Sequence, residues 1–364
     1  MKPAGAFAKL FTNSELDEIF EYRDEARRCL PSWRAAFGPD STIDYDETIT
    51  DILSNEAVER IQSENTGNTW LLKQKCRFLP SSGYSEAASA MAELRCYGAL
   101  LEAGYEVEPV PTRKHPTPDF KVIGIDGEIF VEVASKQEDA AQTAISGKIA
   151  KGETPPGIQR SIKEQGRFKI ESVAREHHPF GAPDLGKPDD STQANAISRL
   201  CAIKGKEHQA KHMPTLLWVD LRDIGDWPDV VTSDQFYPLS VSHHGMALTS
   251  GCVWYAHYGW KGAPIFEELY GGQQQIVLMG HNGRFVNPAN PSKYAGSIIC
   301  IPSATAYFEN PDALHPIPET ERLRMLNLRR FDLNSSVASW TKYKAKNQIQ
   351  SAKELIETLQ KAVK

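Results

Sequence analysis

Two short apolar runs separated by Asp126-Gly127 constrain this chain more than any other feature of its sequence. The runs Phe120–Ile125 and Glu128–Ala134 have the length and the β-branched content of strands. An Asp-Gly pair between two such runs is a strong signal for a tight turn of two residues. The sequence therefore predicts a β-hairpin at this point.

The length of the turn determines which residues of the hairpin face each other. A two-residue turn pairs Lys121 with Glu132 and Asp119 with Ala134, and it places Asp119, Lys121, Phe130 and Glu132 on one face. Asp119 and Glu132 are then diagonal neighbours, roughly 7–8 Å apart. Two carboxylates this close repel each other unless a cation lies between them, and Mg²⁺ prefers such oxygen ligands. We therefore expect a magnesium site on this face.

Helices and further strands surround the hairpin. A helix is predicted over Ser85–Ala103 with Gly104 as its C-terminal cap, and a second one over Gln193–Lys211. The nearly continuous apolar run Thr215–Leu221 is typical of a strand in the middle of a sheet. Further strands are predicted at Tyr105–Val110, Cys252–Tyr258, Gln275–Met279 and Ser297–Ile301. The pattern predicts an α/β fold with a mixed central β-sheet flanked by helices and with added helical regions at both ends.

Three regions follow from this pattern. Residues 1–80 form a helical region, in which Asn13-Ser14 and Thr50 are the expected helix caps. Residues 81–310 form the core, which a polar segment at 137–192 interrupts. Residues 311–364 end in an amphipathic helix from Lys342, whose apolar stripe needs a surface to pack against. A homodimer or a partner protein bound through the terminal helices is one source of that surface.

Composition narrows the classes of function. The net charge of −6 argues against a protein that binds nucleic acid through its global charge. Between Lys148 and Arg175, however, seven basic residues stand against three acidic ones. The six cysteines are scattered without a CxxC pair, and the sequence contains neither a signal peptide nor an apolar run of membrane-spanning length. We expect a cytoplasmic protein that does not contact a membrane.

The residues of the hairpin resemble a known family. Pro118-Asp119, followed by Glu132 within Val131-Glu132-Val133-Ala134-Ser135-Lys136, is similar to the core motif of the PD-(D/E)XK nuclease superfamily, which has a restriction-endonuclease-like fold. Ala92-Glu93-Leu94 resembles the first motif of that family, whose glutamate helps to hold the metal. Lys206 and Gln209 resemble its Lys-x-x-Gln helix motif.

The resemblance implies an enzyme and a set of site residues. It implies a Mg²⁺-dependent phosphodiesterase, with Mn²⁺ as a substitute, that acts as an endonuclease on DNA, with RNA as the alternative substrate. Restriction and anti-phage defence are roles that such enzymes often serve. The metal ligands are expected to be Asp119, Glu132 and Glu93.

One position departs from the family pattern. The lysine that should follow Glu132 by two residues is Ala134, and Lys136 is the simplest replacement. Lys121 and Lys206, with Gln209, are accessory candidates, because a cation on a flexible stem can reach a site from several backbone positions. Lys163, Arg167 and Lys169 of the basic segment are expected to contact nucleic acid. The departure leaves open an alternative in which the chain binds or senses nucleic acid without cutting it.

Overall fold

The structure is a computed structural model of the chain. It describes residues 5–21, 31–37, 49–64, 67–82, 84–111, 117–137, 144–145, 148, 159–165, 168–174, 178, 180–184, 186–187, 189–203, 207, 210, 212–224, 234–241, 247–269, 273–302, 304–326, 328, 339–340 and 342–362.

The N-terminal region is helical, as the sequence predicts. Its helices are α1 (Asn13–Glu21), α2 (Pro31–Phe37), α3 (Ile49–Ser63) and α4 (Gly67–Cys76), and α5 (Tyr84–Glu102) follows. The predicted caps are wrong by one or two residues. Thr12 caps α1, since its hydroxyl accepts from the Glu15 N–H while the Glu15 carboxylate accepts from the Thr12 N–H. Thr50 lies within α3, which begins at Ile49.

A mixed sheet flanked by helices forms the centre of the fold. Its strands, in spatial order, are β1 (Glu106–Pro109), β2 (Phe120–Ile123), β3 (Glu128–Ser135), β6 (Thr215–Asp220), β11 (Gly296–Cys300), β12 (Thr305–Glu309) and the two-residue β13 (Ser339–Trp340). The strands β3, β6 and β11 run parallel to one another, while β1, β2 and β12 join antiparallel. The predicted α/β class is confirmed, and β6 lies in the middle of the sheet.

The remaining elements form smaller pieces around this sheet. They are the hairpin β4 (Gln159–Gln165) and β5 (Phe168–Ala174) within the polar segment, β7 (Ser240–Val241) with β8 (Leu248–Thr249), β9 (Pro264–Glu268) with β10 (Gln274–Leu278), and the helices α6 (Thr192–Cys201), α7 (Cys252–Tyr258), α8 (Glu319–Met325) and α9 (Lys342–Ala362).

Two of these elements correct the sequence-based expectations. Cys252–Tyr258 is a helix and not a strand, and every one of its residues is buried. A short run that is apolar on all sides has no periodicity by which a helix differs from a strand. The helix predicted over Gln193–Lys211 ends at Cys201.

The two faces of the sheet are buried by two separate clusters of side chains. Alternate residues of β6 divide between them: Leu216 and Trp218 belong to the first cluster, Leu217 and Val219 to the second. The first cluster contains the N-terminal helices and α5. The second contains α6, α7 and α9. The apolar stripe of α9 thus packs on the chain's own core through Ala352 and Ile356, among others.

The hairpin has a different register from the one that the Asp-Gly pair predicts. Phe120 pairs with Val131, Lys121 with Phe130 and Ile123 with Glu128. The Gly124 N–H donates to the Gly127 carbonyl at 2.9 Å, so the turn consists of Ile125-Asp126 and lies one residue before the predicted Asp126-Gly127. The register therefore differs by two residues, and by alternation Lys121, Phe130 and Glu132 remain on one face. The loop is held by Glu321 of α8, whose carboxylate accepts from the N–H groups of Ile125 and Asp126.

Candidate functional site

A groove of about 1240 Å³ lies beside β1, the edge strand of the sheet. The helices α4 and α5 form its other walls. Its lining residues include Trp70, Lys73 and Gln74 of α4, Arg77 directly after α4, Glu93 and Tyr97 of α5, and Asp119. Two of the predicted site residues, Glu93 and Asp119, therefore face one open space.

Asp119 is held between two strands by hydrogen bonds of its backbone and its carboxylate. Its N–H donates to the Val131 carbonyl at 3.1 Å, and its own carbonyl accepts from Val110 at 2.9 Å. Its Oδ2 accepts from the N–H of Val133 at 2.7 Å. The carboxylate thus takes the place of a backbone carbonyl in the ladder to β3, which determines its position at the groove.

Glu93 extends from α5 into the groove, where Arg77 and Gln74 bind its carboxylate. Its Oε1 lies 2.7 Å from Nη1 of Arg77, and its Oε2 accepts from Nε2 of Gln74 at 3.0 Å. Burial raises the pKa of Glu93; the positive charge of Arg77 opposes this rise, and the negative charge of Asp119 adds to it. Glu93 and Asp119 therefore lie close enough for their charges to interact.

Arg77 and Gln74 are site residues that the sequence does not reveal. Arg77 also binds the exposed Glu86 through Nε at 3.0 Å and donates to Oε1 of Gln74 at 2.9 Å. Burial alone lowers the pKa of Arg77, but the charges of Glu93 and Glu86 outweigh it and the pKa is raised. The only signal in the sequence is their spacing of three at the end of a helix, which is also typical of an exposed polar face.

Glu132 lies in β3, and its side chain is on the other face of the sheet. It is buried and is paired with Leu217 of β6, which belongs to the second cluster, and Ala134 packs on that same cluster. On the opposite face of β3, Ser135 contacts Ser89 of α5, with 3.0 Å between their hydroxyl oxygens. Glu93 and Glu132 thus lie on opposite faces of the strand, with Asp119 bonded along its edge.

The basic candidates are spread over several elements. Lys121 is ion-paired with Glu128 at 2.6 Å and with Glu108 at 3.8 Å, on the turn side of Asp119. The backbone N–H of Lys136 donates to the Asp220 carbonyl just beyond the end of β3. Lys163 and Lys169 lie in β4 and β5. Arg167, Lys206 and Gln209 lie outside the described residues.

The donor atoms at the groove suit a divalent cation in part. Two carboxylates facing open space match Mg²⁺, which takes one or two carboxylates and leaves other positions to water and phosphate. Both oxygens of Glu93 are already bound, however, one by Arg77 and the other by Gln74. Within the described ranges, no three His, Cys, Asp or Glu side chains are arranged to hold a metal.

A second group of charged side chains lies at the end of β6 and serves the packing of the fold. Asp220 accepts from Nε and Nη2 of Arg222, and both residues are buried. Asp223 accepts from the N–H and hydroxyl of Ser32, which lies 191 residues earlier in the chain. These contacts attach α2 to the sheet.

Comparisons of the chain with protein-family models, with curated proteins and with solved structures give no match. No helix in the described part of the chain combines the length and the apolar composition that crossing a membrane requires.

Proposed function

We propose that the chain is a divalent-cation-dependent endonuclease with a restriction-endonuclease-like core, which hydrolyses DNA in preference to RNA. The observation that carries the proposal is the meeting of Asp119 and Glu93 at one open groove, with Arg77 beside Glu93 at the end of the facing helix. The order of helix, antiparallel hairpin, helix and parallel strand supports it. A role in restriction or anti-phage defence is part of the proposal by resemblance.

Each residue at the groove has a task in this proposal. A bound Mg²⁺ or Mn²⁺ supplies a Lewis acid that activates water and offsets charge on the phosphate. Asp119 and Glu93 hold the cation, and the ladder bond from Val133 keeps the Asp119 carboxylate in place. Arg77 orients the phosphate by charge-assisted hydrogen bonds. Lys136 belongs to the site by resemblance, as the cation that Ala134 does not provide. The resemblance also gives Glu132 as a ligand, but Glu132 faces the second cluster, so the cation is assigned to Asp119 and Glu93 alone.

A cleavage panel tests the proposal. We expect the purified protein to cut double-stranded DNA with Mg²⁺ or Mn²⁺ and to stop when EDTA is added. Asp119→Asn and Glu93→Gln keep the size of each side chain but remove its charge, so each should lower the rate by on the order of 100-fold or more. Glu102→Gln is the matched control, because this glutamate lies on α5 and pairs with Arg60 outside the groove.

The panel also contains the results that contradict the proposal. The proposed enzymatic function would be wrong if the wild-type protein cut none of double-stranded DNA, single-stranded DNA and RNA with either metal. Equal loss of activity in Glu102→Gln would show that the effect is structural.

The alternative is a module that keeps this fold and binds nucleic acid without cutting it. Ala134 and the full engagement of Glu93 by Arg77 and Gln74 favour it. Titration calorimetry separates the two functions, since the binding module is expected to retain affinity for DNA and to take up no Mn²⁺.

A further inference from the structure

Arg77 occupies the position next to the Glu93 carboxylate that a bound cation would take. Its Nη1 lies 2.7 Å from Oε1 of Glu93, while Gln74 holds Oε2. The guanidinium therefore neutralises a carboxylate that burial and the nearby Asp119 make costly to ionise. A positive side chain so placed competes with any cation for the same oxygen.

The second contact of Arg77 lies on the solvent side. Its Nε pairs with Glu86, whose side chain is 57% exposed, whereas the side chain of Glu93 is 18% exposed. Because the Glu86 side chain is exposed, it can follow the guanidinium when the Nη atoms move away from Glu93. Arg77 can thus give up its contact with Glu93 while it keeps its contact with Glu86.

We propose that Arg77 inhibits cation binding at Glu93 and that a substrate phosphodiester relieves this inhibition by drawing the guanidinium onto itself. The inference rests on the proposed nuclease function and adds a form of regulation to the same groove. Arginine suits the exchange, because its planar fork binds carboxylate and phosphate oxygens in the same geometry.

The charges of the groove give the exchange a direction. Glu93, Asp119 and Arg77 together carry one net negative charge, and a divalent cation with one phosphodiester brings one net positive charge. Bound together, the two ligands leave these groups neutral, whereas either one alone leaves an imbalance. Cation and phosphate should therefore each strengthen the binding of the other, by the same factor.

Titration calorimetry of Mn²⁺ tests this coupling, with dimethyl phosphate as a minimal phosphodiester probe. Arg77→Met should bind Mn²⁺ about tenfold more tightly than the wild type, which corresponds to about 1.4 kcal/mol. Dimethyl phosphate should tighten Mn²⁺ binding to the wild type and have no such effect on Arg77→Met. Arg77→Lys keeps the charge without the fork, so its affinity should lie between the two.

Lys73→Met is the matched control, because it removes one positive charge from the same groove, and no contact between Lys73 and Glu93 is seen. We expect it to change the affinity for Mn²⁺ by less than about threefold. Equal tightening in Lys73→Met and Arg77→Met would overturn the inference, since charge alone would then explain the effect. So would an unchanged affinity in Arg77→Met and Arg77→Lys variants that fold normally by circular dichroism.

The failure of this inference differs from the failure of the proposed function. If the wild type cuts DNA and binds Mn²⁺ as tightly as Arg77→Met, only the role of Arg77 is wrong. If neither protein binds Mn²⁺ and neither cuts DNA, the proposed function falls as well.

Discussion

His257 illustrates how far burial alone can alter a single residue. It lies in α7, stacks on Phe308 with 4.4 Å between ring centroids, and its Nδ1 lies 2.7 Å from the Val253 carbonyl. Burial lowers its pKa from 6.5 to about 3. The imidazole is therefore neutral in the folded protein at pH values where it becomes charged in the unfolded chain.

This shift predicts a pH dependence of stability. Below pH 6.5 the unfolded chain takes up a proton on His257 that the folded protein refuses until about pH 3, so acidification favours unfolding in this window. Between about pH 7 and pH 5 the free energy of unfolding should fall by on the order of 2 kcal/mol from this group. In urea titrations, the free energy of unfolding of His257→Phe should therefore fall by about 2 kcal/mol less than that of the wild type between these two pH values. A change of the same size in His212→Gln, an exposed histidine, would contradict this assignment.

Single residues also show the limit of the sequence at the site. Glu93 and Asp119, which the structure brings to one groove, are candidates selected from their motif spacing. Arg77 and Gln74 are not, since nothing local distinguishes them from an exposed polar face. Their role depends on how α4 packs against α5, which is a tertiary property.

At the scale of elements, the hairpin β2–β3 shows a local signal overridden by a distant contact. Asp126-Gly127 predicts a turn at these two residues, but the turn lies at Ile125-Asp126, whose N–H groups donate to Glu321. A Cβ at Gly124 would collide with that carboxylate. Glu321 lies 196 residues from Ile125, so no reading of the turn sequence alone could supply the register.

Glu321 is therefore predicted to stabilise the hairpin. Glu321→Ala leaves two backbone N–H groups and the paired Arg324 without their acceptor, so the free energy of unfolding should fall by about 3 kcal/mol. Glu319→Ala removes an exposed partner of Arg322 on the same helix and should cost below about 1 kcal/mol. Equal losses measured by urea titration would show that the hairpin does not depend on this contact.

For the whole molecule, the two faces of one sheet are expected to unfold together. Neighbouring residues of β6 belong to different clusters, so neither cluster can open without exposing the strand that the other needs. The sequence predicts the sheet and the terminal helices well, because their periodicities are strong. It does not predict that the stripe of α9 finds its surface within the chain, since periodicity shows an apolar face and not what covers it.

Calorimetry of two core variants tests this unity. Ile61 of α3 is buried in the first cluster and Ile356 of α9 in the second. Ile61→Ala and Ile356→Ala should each lower the stability of one common transition by about 2–5 kcal/mol, because each leaves a cavity. Two resolved transitions, each shifted by only one of the variants, would show that the clusters are separate units.

The central position of β6 has a consequence for how the protein is made. A ribosome delivers β6 long before β11, its parallel neighbour, which begins only at Gly296. Until then one edge of a strand made entirely of buried residues has no partner, and such edges readily join other chains. The nascent protein is therefore most exposed to misassembly, and most dependent on chaperones, while the segment between these two strands is being synthesised.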